Sequence, residues 1–269
     1  RSINPGTSGT SGMLVFSSGT TQAGNSGAIE IGTGAATAGR AGMVLVSVGS
    51  GTSGAGGAIV ADAGRSTVHT GGALSLSSGE GTATSSGVVT IRSINSGTSG
   101  ASGALVFSSG TSVLGNSGAL MLGSGAATTG RAGMVSISAG SGTSGAGGAV
   151  IADAGRSTVH TGGAVHLSSG EGTATSSGVV TIRSINSGTS GVSGMLVFSS
   201  GTAVSGNSGA IGIGTGAATA GRGGMVLVTI GSGTSGVGGL VSMLSGRSTG
   251  HTGGALSIES GEGTGTTSG

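Results

Sequence analysis

Short runs of four mostly apolar residues recur along the chain at a spacing of 15 residues. The spacing lengthens to 16 only after the runs that begin at residues 88 and 179, so a longer period of 91 residues results. Within a run, large aliphatic or aromatic side chains prevail at the second and fourth positions, as at Leu14 and Phe16. Such alternation over a short run, bounded by glycine and small polar residues, is typical of a β-strand.

One strand in every 15-residue unit predicts an all-β fold, a parallel β-solenoid (β-helix) with about 15 residues per coil. The chain would form 17 full coils in a single continuous repeat array over residues 1–269, with super-repeats 1–91, 92–182 and 183–269. The second, fourth and sixth positions of a unit would face the interior, and the glycine that ends each unit would supply a turn with positive φ. Because the 17 units are preceded by the tail of another unit and the third super-repeat stops short of 91 residues, the array is expected to be an excerpt of a longer one.

The first and third positions of many runs are apolar as well. A strand that is apolar on both faces is usually buried on both sides. This pattern predicts that the chain packs laterally against a second copy of itself, as a homo-oligomer or filament. The residues expected in this contact are Met13, Val15, Met43, Leu45, Met134, Met195, Val197, Met225 and Leu227.

Composition narrows the class of protein. Of 269 residues, 67 are glycine and only 6% are charged, yet the mean hydropathy of +0.36 and the net charge of +2 are unlike those of disordered chains. Glycine does not occupy every third position, which excludes collagen. The nine basic residues are all arginine and are dispersed, so nucleic-acid binding is not expected, and no apolar run is long enough for a membrane span.

Charged residues recur at one position of neighbouring units. Arg65 and Glu80 both occupy the eighth position, and they would lie about 5 Å apart in stacked coils. This arrangement predicts a surface ion-pair ladder that sets coil register, each pair contributing at most about 1 kcal/mol. Its members are Arg65, Glu80, Arg156, Glu171, Arg247 and Glu262.

Asp62, Ser66 and His69 have the side chains of a catalytic triad, but they recur in each super-repeat, and the third copy has Leu244 in place of the aspartate. A catalytic triad requires one oriented set of side chains with an oxyanion hole. Three copies of the set, one of them without its aspartate, favour a surface feature. The four histidines are not expected to share a metal ion. We therefore predict no enzymatic activity, no metal site and no cofactor.

A file of threonines occupies the tenth position of four successive units in each super-repeat: Thr37, Thr52, Thr67, Thr82, Thr128, Thr143, Thr158, Thr173, Thr219, Thr234, Thr249 and Thr264. A regular outward threonine file on a flat solenoid resembles the ice-binding face of insect and grass antifreeze proteins. The other interpretations are a row of acceptors for O-linked sugars and a structural hydroxyl ladder. No N-glycosylation sequon is present.

Segments such as "GSGTSGAGGAI" give the whole chain a composition that resembles the Gly/Ser/Thr-rich tandem-repeat proteins of algae and related protists, and more distantly β-solenoid fibre proteins. The resemblance implies a secreted or cell-surface protein. The predicted function is that of a structural protein, a self-associating subunit of an extracellular fibril or surface coat that carries O-glycans. The alternatives are an ice-binding or polysaccharide-binding protein with a flat threonine face, and the stalk of an adhesin.

Overall fold

Every unit up to residue 254 contains one bend, which spans three residues beginning at its tenth position, or at the eleventh in the 16-residue units, and the last unit begins a bend at 264–265. The computed structural model describes Ser2 and residues 9–265. The bends recur with the spacing of the apolar runs, and each contains glycine, serine or threonine, which favour turns. They lie at 22–24, 37–39, 52–54, 67–69, 82–84, 98–100, 113–115, 128–130, 143–145, 158–160, 173–175, 189–191, 204–206, 219–221, 234–236 and 249–251.

The predicted β-solenoid is wrong. Residues 9–265 contain neither a strand nor a helix, and the four-residue apolar runs do not pair into a sheet. The physical reason lies in the composition. A unit offers about two large inward side chains for 15 residues, and 67 of the 269 residues are glycine, which loses more conformational entropy on ordering than any other residue. Burial within one chain is too small to offset that entropy.

The chain divides into two compact parts, Arg1–Val135 and Ser136–Gly269. Each part contains bends and loop-closing hydrogen bonds of the same kind. In the described part of either one, no side chain is buried. Only Ser2, Gly81, Gly172 and Gly263 are half-buried, and all other described residues are exposed.

The chain leaves most of its surface in contact with solvent. Its accessible surface is 26058 Å², whereas a globular protein of 24.2 kDa exposes about 10,000 Å² and its unfolded chain about 35,000 Å². The described residues form eight backbone–backbone hydrogen bonds. A globular protein forms roughly one internal hydrogen bond per residue, about two-thirds of them between backbone groups. Most backbone groups of the described residues therefore have no backbone hydrogen bond within the chain.

The eight backbone hydrogen bonds all close the same loop, which runs from the seventh to the fifteenth residue of a unit and which we call the closing loop. The amide of Gly57 donates to the carbonyl of Gly49 at 3.1 Å, and the amide of Gly72 donates to Gly64 at 2.8 Å. Equivalent bonds close the loops at 79–87, 140–148, 155–163, 170–178, 231–239 and 246–254. The bend lies inside each closing loop, so the loop reverses the chain direction.

A side chain closes the loop in the second unit of each super-repeat. The hydroxyl of Thr33 donates to the carbonyl of Gly42 at 3.0 Å. Ser124 donates to Gly133 at 2.7 Å, and Thr215 donates to Gly224 at 3.2 Å. In these units a side-chain hydroxyl at the sixth position therefore bonds to the fifteenth residue. In the units described above, a backbone bond joins the seventh residue to the fifteenth.

The glycine that ends each unit lies against the sixth residue of that unit. A β-carbon built on Gly87 would lie 3.4 Å from the β-carbon of Ser78, and one built on Gly133 would lie 3.1 Å from that of Ser124. Similar approaches occur in both 16-residue units, for example 3.6 Å between Gly103 and Ser93. An approach of 3.1 Å is tighter than an ordinary van der Waals contact, whereas one of 3.6 Å is not. Close approach therefore accounts for the final glycine in units such as that ending at Gly133, but not in the 16-residue units.

The prediction that the final glycine supplies a positive φ is wrong. Among the described residues, positive φ occurs at Gly9, Gly24, Gly100, Gly191 and Gly206. The last four each form the third residue of a bend. Left-handed backbone is therefore used inside these four bends, whereas no described glycine at the end of a unit has a positive φ.

A methyl group at the end of a closing loop is expected to open it, whereas one at its start is not. In Gly72→Ala the new β-carbon would lie 3.1 Å from the backbone nitrogen of Gly64, but a β-carbon at Gly64 meets nothing within 4 Å. We expect Gly72→Ala to remove the protection of the residue 72 amide against hydrogen exchange, by at most about tenfold, since one hydrogen bond contributes about 0.5–1.5 kcal/mol. NMR exchange rates, each corrected for local sequence, measure this.

Gly64→Ala is the matched control, because it adds the same methyl group to the other partner of the same hydrogen bond. In Gly64→Ala, the amide of Gly72 should keep the protection against hydrogen exchange that it has in the unaltered chain. Equal loss of protection in both variants would contradict the close approach as the reason for glycine.

Candidate functional site

Most of the exposed large apolar side chains of the described chain lie in the apolar runs. We call the first four residues of a unit its apolar segment. At the first position, the exposure of large apolar side chains ranges from 77% at Met225 to 87% at Met13. At the second position it ranges from 46% at Val180 to 65% at Val165. The second position is thus the more sheltered of the two, yet about half of each of its side chains still faces solvent.

The residues predicted to pack laterally are all accessible in the described chain. Val15, Leu45, Val197 and Leu227, at the third position, are exposed by 61–75%. The residues predicted to face an interior, such as Leu14 and Phe16, are exposed too, because the described chain has no interior. An apolar segment therefore offers both of its sides for contact.

The threonine file has a defined place in the structure. Each of the twelve predicted threonines is the first residue of a bend, as Thr37 is in 37–39 and Thr52 is in 52–54. All twelve are exposed. The file therefore lies on the turning points of the chain and not on the face of a sheet.

Two further threonines belong to this group and were missed by counting positions. Thr98 and Thr189 begin the bends 98–100 and 189–191 in the 16-residue units. The extra residue moves them from the tenth to the eleventh position. The signal that identifies them is the tetrapeptide Gly-Thr-Ser-Gly, which is shared by 97–100 and 51–54.

Ser66 has a structural contact within the predicted triad set. Its hydroxyl oxygen accepts a hydrogen bond from the backbone amide of His69 at 2.9 Å. The pairs Ser157–His160 and Ser248–His251 repeat this contact at the same distance. A hydroxyl that accepts from an amide three residues ahead stabilises a turn, so this serine caps the bend.

Arg65 and Glu80 each follow the glycine whose carbonyl closes the loop of their unit, Gly64 and Gly79. Both side chains are exposed. The ion-pair ladder that the sequence predicts stays a prediction for these residues and for their copies.

A shallow depression of about 150 Å³ is lined by Arg92, Ser93, Ile94 and Asn95. These residues occupy the fifth to eighth positions of the first 16-residue unit. Within the described residues, no three acidic, histidine or cysteine side chains lie together as a metal site would require. No described helix is long and apolar enough to cross a membrane.

No family model, curated protein or solved structure matches this chain.

Proposed function

We propose that this chain is a structural protein, a self-associating subunit of an extracellular fibril or surface coat. The observation that carries the proposal is the exposure of every apolar segment in a chain whose mean hydropathy is +0.36. Soluble monomers rarely expose contiguous apolar patches larger than a few hundred Å². Contact between copies would remove these segments from water.

The repeated spacing favours contact along the whole chain. A standard interface buries about 800 Å² on each partner, a small fraction of the 26058 Å² that this chain exposes. One apolar segment supplies a weak contact, but 17 segments on one chain act together, since each contact raises the effective concentration of the next. Identical segments along a chain also permit partners to bind in a staggered order, which produces open-ended assemblies.

The bends would face away from these contacts and carry the hydroxyl groups. Exposed threonines at turning points, such as Thr52 and Thr143, are accessible to enzymes that attach O-linked sugars. A secreted or cell-surface location agrees with this chemistry and with the compositional resemblance described above. We include O-glycosylation at the bends in the proposal.

The experiment that tests self-association is sedimentation velocity over a wide range of protein concentration, combined with electron microscopy of the most concentrated sample. We expect the mass-average sedimentation coefficient to rise with concentration and filaments or sheets to be visible. A chain that sediments as a monomer at every concentration, with no visible assemblies, would refute the proposal.

A second candidate function is binding to ice or to a repetitive polysaccharide. It is favoured by the threonines that begin successive bends, because they place a hydroxyl group at a regular interval along the chain. Thermal hysteresis, measured on the monomer, distinguishes ice binding from a structural function. Hysteresis that is lost when Thr37, Thr52, Thr67 and Thr82 are replaced by valine would favour ice binding. If millimolar protein showed no hysteresis, ice binding would be excluded.

A further inference from the structure

The methionines of this chain all lie in apolar segments. The chain has seven, and five of them, Met13, Met43, Met134, Met195 and Met225, occupy the first position of a unit. Met121 occupies the third position of its unit, and Met243 occupies the fourth. No methionine lies in a bend.

The side chains of all seven methionines are accessible to solvent. Their exposure ranges from 61% at Met243 to 87% at Met13 and Met121. The chain contains no cysteine, tryptophan or tyrosine, so no thiol or electron-rich aromatic ring competes for an oxidant. Exposed thioethers are therefore its most readily oxidised groups.

We propose that these seven methionines are sites of reversible oxidation by peroxide, and that their oxidation dissociates the assembly. This inference rests on the proposed self-association. In the reaction, the thioether sulfur attacks one oxygen of hydrogen peroxide, so that a sulfur–oxygen bond forms and the oxygen–oxygen bond breaks. The sulfur loses two electrons, and the proton on the transferred oxygen passes to the departing hydroxide, which leaves as water.

The sulfoxide changes the surface on which contact depends. A thioether is apolar and flexible, and it packs well against other apolar groups, whereas a sulfoxide is polar and requires a hydrogen-bond partner. At the first position of a unit, the sulfoxide oxygen would be carried into the contact between copies. Burying a polar group without a partner is unfavourable, so the oxidised chain associates more weakly.

The test compares sedimentation of the full chain before and after treatment with hydrogen peroxide, with mass spectrometry of the methionine peptides to confirm each sulfoxide. We expect the concentration at half-association to rise by at least about tenfold. Methionine sulfoxide reductases of both stereospecificities should restore the original value. We also expect the methionines to oxidise more slowly in the assembly than in dilute monomer.

The matched control replaces all seven methionines with leucine, which keeps the apolar surface but cannot be oxidised. This variant should associate as the unaltered chain does and should not respond to peroxide. A leucine variant that dissociates in peroxide, or a fully oxidised chain that assembles unchanged, would overturn the assignment. A chain that is monomeric before peroxide is added would instead refute the proposed function.

Discussion

Replacing Met43, Met134 and Met225 with glutamate is expected to abolish self-association at micromolar concentration. The three residues occupy the same place in successive super-repeats, and 77–85% of each side chain is exposed. If their segments pack against another copy, each substitution forces a carboxylate out of water without a partner, which costs several kcal/mol. We expect the association constant to fall by at least about a thousandfold, which corresponds to about 4 kcal/mol. Sedimentation velocity at matched concentrations measures the change.

The control for this experiment places the same three charges next to the bends. Ala55, Ala146 and Val237 each follow a bend directly, outside the apolar segments. Replacing them with glutamate changes the net charge equally, so any general repulsion between chains is matched. Equal loss of association in the two triple variants would show that charge, and not the apolar segments, controls assembly.

The isolated chain is expected to show no cooperative unfolding transition. Cooperative unfolding requires a buried core whose contacts are lost together, and no described residue has a buried side chain. A globular domain absorbs about 0.7 kcal/mol per residue at its midpoint. For the dilute chain we expect differential scanning calorimetry to give no peak of this kind.

The assembled protein should behave differently in the same instrument. Because association buries apolar surface, we expect a heat-absorption peak that appears only in concentrated samples, with a midpoint that rises with concentration. A sharp peak in the dilute monomer, at a midpoint independent of concentration, would require a core within one chain. That result would contradict the structure described above.

The sequence predicts the period of the chain better than it predicts the position of the turns or the pairing of the apolar runs. The bends recur at the predicted spacing, as their starts at Thr37, Thr52, Thr67 and Thr82 show, but they do not lie at the final glycine where the sequence analysis placed the turn. The period follows directly from the repeated letters, whereas the choice between neighbouring glycines as the turning point does not. Pairing of Leu14 or Phe16 with the next unit depends on a balance between burial and chain entropy, and the alternation of side chains carries no information about that balance.

Glycine illustrates a second limit. The sequence shows glycine both inside bends and at the end of each unit, but two different causes produce the same residue. Gly24, inside a bend, has φ of 123°, which only glycine adopts readily, whereas a β-carbon on Gly133, at the end of a unit, would lie 3.1 Å from that of Ser124. Composition alone does not separate these causes, because each yields the same letter.

In the candidate site, the lateral contact expected for apolar residues such as Met43 and Leu45 stays a prediction, because the structure of one chain shows only that both side chains are exposed. Thr98 was missed because one added residue shifts it out of the numbered column. A search by tetrapeptide would have identified it, because the bend depends on neighbouring residues and not on the distance from the apolar segment.

The short span of the hydrogen bonds has a kinetic consequence. Every hydrogen bond found among residues 9–265 joins positions at most nine apart. A loop of about ten residues closes in roughly 10–100 ns. Even at the diffusion limit, the time between encounters of two protein molecules at micromolar concentration is far longer than this closing time. Each closing loop therefore opens and reforms many times between encounters. If copies assemble as proposed, collisions and not a preceding folding step would set the rate of fibre growth.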